Sequence, residues 1–390
     1  MISQEKAEVL CHTWGEGFER MFGLVEGCFA RSESRAKAKD YVRGLMSDVK
    51  RKNGWGLAER LGMKTPLALQ RLLNEATWDA DEVLQIARQL LTQAAIADEL
   101  GGVGVVDESS FIKKGAHSAG VKRQYCGRLG KVENCQVGVF LGFVSMSVQG
   151  FLDRRLYLPQ DWCEDEARCD AARIPKEARV FRTKPELASD MLKAAWAEGI
   201  KMSWVTGDTL YGNSPSFRQA VSDSGRHYVL AVTQNHKVRC RGRQRIDALL
   251  ATLSPEDWSV TTSRAGEYGP IKEQWAFFRV GFADQEQWLV FRRTEHDTEA
   301  YLSNAPEDTS TATLLTVILS RYSIERCLQE AKSDLGLADY EVRYFHAWQR
   351  HITLCLLAHG FLALCRHEQR KKNASAALYL SQPRGVPNAV

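Results

Sequence analysis

Between residues 103 and 159 three β-rich runs, VGVVDESSF, CQVGVFLGFVSMSV and FLDRRLYLP, follow one another, the last of them after a Gln149-Gly150 turn. That succession reads as an antiparallel three-strand meander. A helical segment, PELASDMLKAAWAEGI, then leads to another apolar strand, MSWVTGD, and to SPSFRQAV, where Ser214 and Pro215 mark a helix start. Strands alternating with helices after a meander indicate a mixed α/β core. On either side the texture changes. Residues 1–96 carry apolar side chains at spacings of three and four, as in Leu57, Leu61, Leu69, Leu72 and Leu73, and read as helices. HYVLAV, EQWAFFRV, QWLVFRR and EAYLSNA form a second β unit, and the chain is helical again from Leu314 to Arg366, with Leu354, Leu356, Leu357, Leu362 and Leu364 as core. The expected division is a helical region over 1–96, a core in two parts over 97–225 and 307–370, a β-rich insertion over 226–306 and a loose tail over 371–390.

Total charge does not announce a nucleic-acid partner, because 52 Lys and Arg stand against 48 Asp and Glu. Local clusters do more. Residues 31–64 hold ten cations and four acids, a plausible phosphate-binding face. Within them GWGLAERLGMKTPLALQRLL places Gly62 between two short helices, with Thr65 as N-cap and Pro66 first in the helix. A helix-turn-helix and a plain helical hairpin both fit. A second basic segment, 113–131, contains Lys113, Lys114, Lys122, Arg123 and Arg128 among four glycines and no acid, suited to a DNA backbone or to a solvated loop. In HKVRCRGRQR, strict alternation would put Lys237, Arg239, Arg241, Arg243 and Arg245 on one side of an extended chain. Ten scattered cysteines without a CxxC pair argue against zinc, no apolar run reaches the ~18 residues of a membrane span, and a reducing cytosolic protein is expected. His346, His351, His359 and His367 read as helix-face residues, not ligands.

Asp107 ends the apolar run VGVV, and Asp208 follows MSWV after Thr206 and Gly207, so both acids lie at strand ends. In a mixed sheet such ends form a crevice where two acids can meet, although a solvated turn residue fits each one equally well. Arg321, Glu325 and Lys332 share one face of a helix, as a surface ion-pair ladder or as an active-site stripe, while Glu330 points away from it. Three acids from two strands and a helix are the ligand set of two-metal phosphoryl transfer.

The segments VVDESSFIKKGAHSAGVKRQYCGRLGKVENCQVGVF, VTGDTLYG and YSIERCLQEAKSDLGL resemble the DDE transposases of bacterial insertion sequences, in sequence and in order, over about residues 29–365. The resemblance implies a ribonuclease-H-like core interrupted by a β-rich insertion and preceded by a helical DNA-binding region. By position, Asp107, Asp208 and Glu325 match the metal-binding acids, with Glu108 as runner-up to Asp107. Arg321, Glu325 and Lys332 match three members of a Tyr, Arg, Glu and Lys signature. Ile318 stands where the tyrosine is expected, which leaves that phosphate contact missing or supplied by Tyr322. The implied cofactor is Mg²⁺, two ions, with Mn²⁺ as substitute. The implied partners are double-stranded DNA, as transposon ends and target, and a second copy or higher assembly on that DNA, in the bacterial nucleoid and without a membrane. Trp258, Trp275 and Trp288 lie where relatives can hold a flipped base, core packing being the other reading. The implied activity is binding of terminal inverted repeats, cleavage at the ends and joining of the 3′-hydroxyl to target DNA. The alternative is a transposase-derived regulator that binds DNA without cutting it.

Overall fold

Apolar stripes with polar caps build the first part of the chain into helices. They are α1 (Gln4–Val25), α2 (Ser32–Leu45), α3 (Gly54–Arg60), α4 (Leu67–Asn74) and α5 (Ala80–Gln93). The chain is seen in a computed structural model that describes residues 4–95, 101–240, 243–266, 269–282, 285–295 and 297–381. Asn53 caps α3 by accepting from the Gly56 N–H, and Asp79 caps α5 by accepting from the Asp81 N–H. Leu57 of α3, Leu69, Leu72 and Leu73 of α4 and Val83, Leu84 and Leu91 of α5 turn inward and are buried. Gly62 reverses the chain between α3 and α4 at φ +69°, a conformation open to glycine. Helix α4 begins later than its sequence suggests, with Pro66 as the N-cap in place of Thr65, because the Pro66 carbonyl already takes the Gln70 N–H.

The strands are β1 (Val103–Ile112), β2 (Lys122–Cys126), β3 (Lys131–Val144), β4 (Gln149–Leu156), β5 (Trp204–Gly207) and β6 (His227–Val232). They continue as β7 (Lys237–Arg239), β8 (Arg243–Arg245), β9 (Ser259–Gly266), β10 (Gly269–Phe282), β11 (Gln285–Arg293) and β12 (Thr298–Ser303). Among the described residues they form one mixed sheet in the order β2-β3-β1-β5-β6-β12-β11-β10-β7-β8, with β4 on β3 and β9 on β10. The expected meander is β1, β3 and β4, antiparallel throughout. Strands β1, β5 and β6 are parallel to one another, and their near-continuous apolar runs suit burial on both faces. This mixed sheet with helices is consistent with a ribonuclease-H-like core.

Two expected boundaries change. Strand β6, read as the start of a separate β unit, pairs with β5, and β12 pairs with β6, so the second β unit extends the first sheet. Its apolar residues Val229, Leu230 and Ala231 are buried with those of the core. Residues 371–381, read as tail, continue a helix. The remaining helices are α6 (Gln160–Cys163), α7 (Glu166–Ala171), α8 (Lys184–Ala197), α9 (Thr209–Gly212), α10 (Pro215–Asp223), α11 (Ile246–Leu250), α12 (Thr311–Asp334) and α13 (Phe345–Ser381). Thr183 and Glu186 form a reciprocal capping box on α8, and Ser214 caps α10 with Pro215 following. Helix α13 is apolar all round from Ile352 to Ala358, and it packs against α2, α5, β4 and α12. No helix among the described residues is long and apolar enough to cross a membrane.

Candidate active site

The parallel register of β1 and β5 pairs Val106 with Gly207. Asp107 follows Val106 and Asp208 follows Gly207, so the two acids stand side by side. Asp107, expected at a strand end, lies within its strand because β1 runs on along β3 to Ile112, whereas Asp208 directly follows β5. Gly207 is needed there: a Cβ would lie 2.7 Å from Val106 Cγ2 and 3.2 Å from the Tyr211 ring. Asp208 also caps α9, accepting from the Leu210 N–H at 2.9 Å, as the turn-residue reading expects. Helix α12 lies over β1 and β5. Its approach depends on Gly142 of β3, where a Cβ would come within 2.3 Å of Ile324 Cδ1, and Ile324 is the residue before Glu325.

Asp107, Glu108, Arg128, Glu325, Gln329 and Lys332 line one cleft. Burial, followed by the charges of Glu108, Asp208 and Glu325, pushes the Asp107 carboxyl up to about 7, against a lowering hydrogen bond from the Glu108 N–H. Burial and then Glu108 raise Asp208, opposed by the Leu210 N–H and Arg321. In both, burial is the larger cause and the neighbouring carboxylates add to it. Among the described residues no three His, Cys, Asp or Glu side chains are close enough together to hold a metal ion. Glu325, about half exposed, is drawn toward Arg321, whose Nη1 is 3.4 Å from its Oε1. Glu108 is engaged otherwise: Lys184 Nζ donates to Oε1 at 2.8 Å and the Tyr211 hydroxyl to Oε2 at 3.1 Å. Neither partner was foreseen from sequence, although the capping box beside Lys184 and the run DTLYG mark their positions. Lys332 faces the cleft, its ammonium pushed down by burial and then by Arg128.

A family model described as DDE superfamily endonuclease matches residues 25–252, more than half of the chain. The chain belongs to the DDE superfamily endonucleases. The matched stretch contains Asp107 and Asp208, whereas Glu325 lies beyond it. The chain is also similar to a probable transposase for insertion sequence element IS701 from Microchaete diplosiphon, at 25% identity over 313 residues, covering 77% of this chain and 75% of the relative.

The structure of this DDE endonuclease redistributes the cations read from its sequence. Lys113 is turned inward. Its Nζ donates to the Tyr340 carbonyl at 2.9 Å and sits 3.4 Å from the centre of the Tyr340 ring, and burial pushes its ammonium down to about 7, so it is not placed to grip a phosphate. Lys114 and Arg123 are exposed, and Lys122 pairs with Asp161 at 2.9 Å. Lys237 and Arg239 are exposed on β7, which folds back on β8 instead of running on as one extended track. Lys237 then opposes Arg245, and Arg239 opposes Arg243, in a two-stranded antiparallel ribbon. Arg241 lies outside the described residues. In the first helices Lys39 and Arg43 both pair with Glu19, Arg51 with Glu341 and Arg60 with Asp48. Lys52 is buried with its Nζ on the Val49 carbonyl, so much of the basic cluster is neutralised within the protein.

Ile318 is fully buried in the core, and the Tyr322 hydroxyl is held by Arg292 and by Glu299. Trp275 is fully buried, Trp288 donates its indole N–H to the Pro306 carbonyl at 2.9 Å, and Trp258 lies 3.8 Å beneath the Arg293 guanidinium. The histidines face inward more than expected. His351, His359 and His367 are buried, and His351 Nδ1 is 2.8 Å from the Tyr41 hydroxyl. Glu330 points away from the cleft, as helical geometry requires, and pairs with Arg366 at 2.7 Å.

Proposed function

We propose that this endonuclease is the transposase of an insertion sequence. It binds double-stranded DNA at the terminal inverted repeats of its element, cuts the ends and joins the freed 3′-hydroxyl to target DNA. Asp107, Asp208 and Glu325 are its metal ligands. The observation that supports this best is the β1–β5 register, which sets Asp107 of β1 beside Asp208, just past β5, beneath the helix that carries the third acid. An all-carboxylate donor set with excess negative charge fits a hard divalent cation such as Mg²⁺, or Mn²⁺ in its place. Two bound ions would supply activation of the attacking water or 3′-hydroxyl and charge for the leaving oxygen.

The chain's own residues do the rest. Asp107 is held within β1 and Asp208 just beyond β5, Glu325 is carried by α12, and Arg321 and Lys332 neutralise the scissile phosphate from the same helical stripe. Lys114, Lys122, Arg123, Lys237, Arg239 and Arg241 extend the basic track for the DNA backbone. The exposed side of α3 and α4, with Trp55 and Leu67 uncovered, faces the terminal repeat. Residues 226–306 are the family's β-rich insertion, and two copies synapse the two ends of the element in the bacterial nucleoid. The test is a labelled duplex carrying the element's own end, incubated with the purified chain and Mg²⁺ or with EDTA. Metal-dependent cleavage at the terminus is expected. Tight binding without cleavage would assign the chain to DNA-binding regulators instead.

A further inference from the structure

We infer that Glu299, on β12, is a positioning residue for the acids of the site. It holds one edge of the Arg321 guanidinium, so that the arginine, which touches Glu325 with its other edge, does not settle among Asp107, Asp208 and Glu325 where a divalent cation would bind. The inference rests on the function proposed above and adds a residue from the second β unit, outside the region that the family model matches. Glu299 Oε1 accepts from Arg321 Nη2 at 3.3 Å, while Arg321 Nη1 reaches Glu325. Glu299 is itself fixed. Its Oε2 accepts from Arg292 Nη1 at 2.7 Å, from the Tyr301 hydroxyl at 2.7 Å and from the Tyr322 hydroxyl at 3.3 Å. Donors from β11, β12 and α12 thus converge on one carboxylate and leave it little freedom. Arg292 is also paired with the buried Glu273, so it does not claim all of Glu299's charge.

Charge balance gives this arrangement its consequence. Glu108 is paired with Lys184 and Tyr211, whereas Asp107 and Glu325 line the cleft and Asp208 stands beside Asp107. A guanidinium whose only neighbours were those acids would settle among them and occupy the oxygen lone pairs that a metal needs. Because Glu299 takes one edge of Arg321, the arginine reaches Glu325 with the other edge and stays beside the acids, still available for a phosphate.

The test is Mn²⁺ binding to the full chain without DNA, read from the electron paramagnetic resonance signal of the free ion. Asp208→Asn marks which binding belongs to the site. Glu299→Gln should weaken that binding about tenfold, the order produced by one unit charge relocated within such a site. Arg321→Gln added to it should restore affinity to within about threefold of wild type. Arg321→Gln alone should bind Mn²⁺ at least as tightly as wild type, which keeps the test open if Glu299→Gln folds poorly. Unchanged affinity in Glu299→Gln, a loss that removal of Arg321 does not reverse, or weaker binding in Arg321→Gln alone would overturn the inference. Wild-type protein with no Asp208-dependent Mn²⁺ binding would instead overturn the metal-site reading itself.

Discussion

Asp208→Asn is expected to lower the rate of end cleavage by about 1,000-fold or more while leaving DNA binding and the fold nearly unchanged. Asparagine can accept the Leu210 N–H as aspartate does, so the cap of α9 survives. What is removed is one negative charge and one hard anionic ligand at the end of β5. A conservative variant therefore separates the two roles that Asp208 fills. Asp208→Ala, which also loses the cap, should cost about 1 kcal/mol of stability in addition. Cleavage kinetics on a labelled end, with urea unfolding of both variants, measure the pair. Cleavage by Asp208→Asn within tenfold of wild type would remove this residue from the ligand set.

Asp107→Asn is expected to stabilise the metal-free protein at alkaline pH. Unfolded, the carboxyl titrates near 3.8; folded, it titrates near 7, because it is buried beside Glu108, Asp208 and Glu325. Between those values the folded state binds more protons than the unfolded state, so stability falls as pH rises. At pH 8 the carboxylate is ionised in both states and the folded chain carries the full penalty, on the order of 2–4 kcal/mol. Asparagine removes it and keeps an oxygen for the Glu108 N–H. The gain should shrink as pH falls through 7 and vanish near 4. Urea unfolding at pH 5 and pH 8 in EDTA checks both the sign and the window. Addition of Mg²⁺ should reverse the ranking at pH 8, since only the wild type gains ligand-linked stability. Destabilisation of the metal-free protein at pH 8 would show that Asp107 is compensated by charge rather than strained by it.

The parts of this site that are legible in sequence are those set by local rules. The apolar run before Asp208 marks the end of β5, while the one before Asp107 marks a strand that continues to Ile112, and offsets of four and eleven from Arg321 place Glu325 and Lys332 on its stripe. Pairing of β1 with β5 joins strands about a hundred residues apart, and only the motif resemblance suggested it. Glu299 was invisible because its partners lie on other elements and no local pattern marks it. Charge clusters misled for the same reason. Lys39 and Arg43 find Glu19, Arg51 finds Glu341, and Lys113 finds the Tyr340 ring, all across long stretches of chain. Alternation from Lys237 to Arg245 is correct as a pattern, yet the chain reverses between Arg239 and Arg243, and the cations meet across a hairpin. A buried run such as HYVLAV does not reveal which sheet neighbours it will have, and β6 pairs with β5 of the first sheet.

The most direct measurement is anomalous diffraction from crystals soaked in Mn²⁺, with Asp208→Asn crystals treated identically. The expected result is density between Asp107 and Asp208 with Glu325 turned in to join them, absent from the variant. Saturating Mn²⁺ with no density at that strand end, or the same density in the variant, would contradict the assignment of these acids as the metal centre.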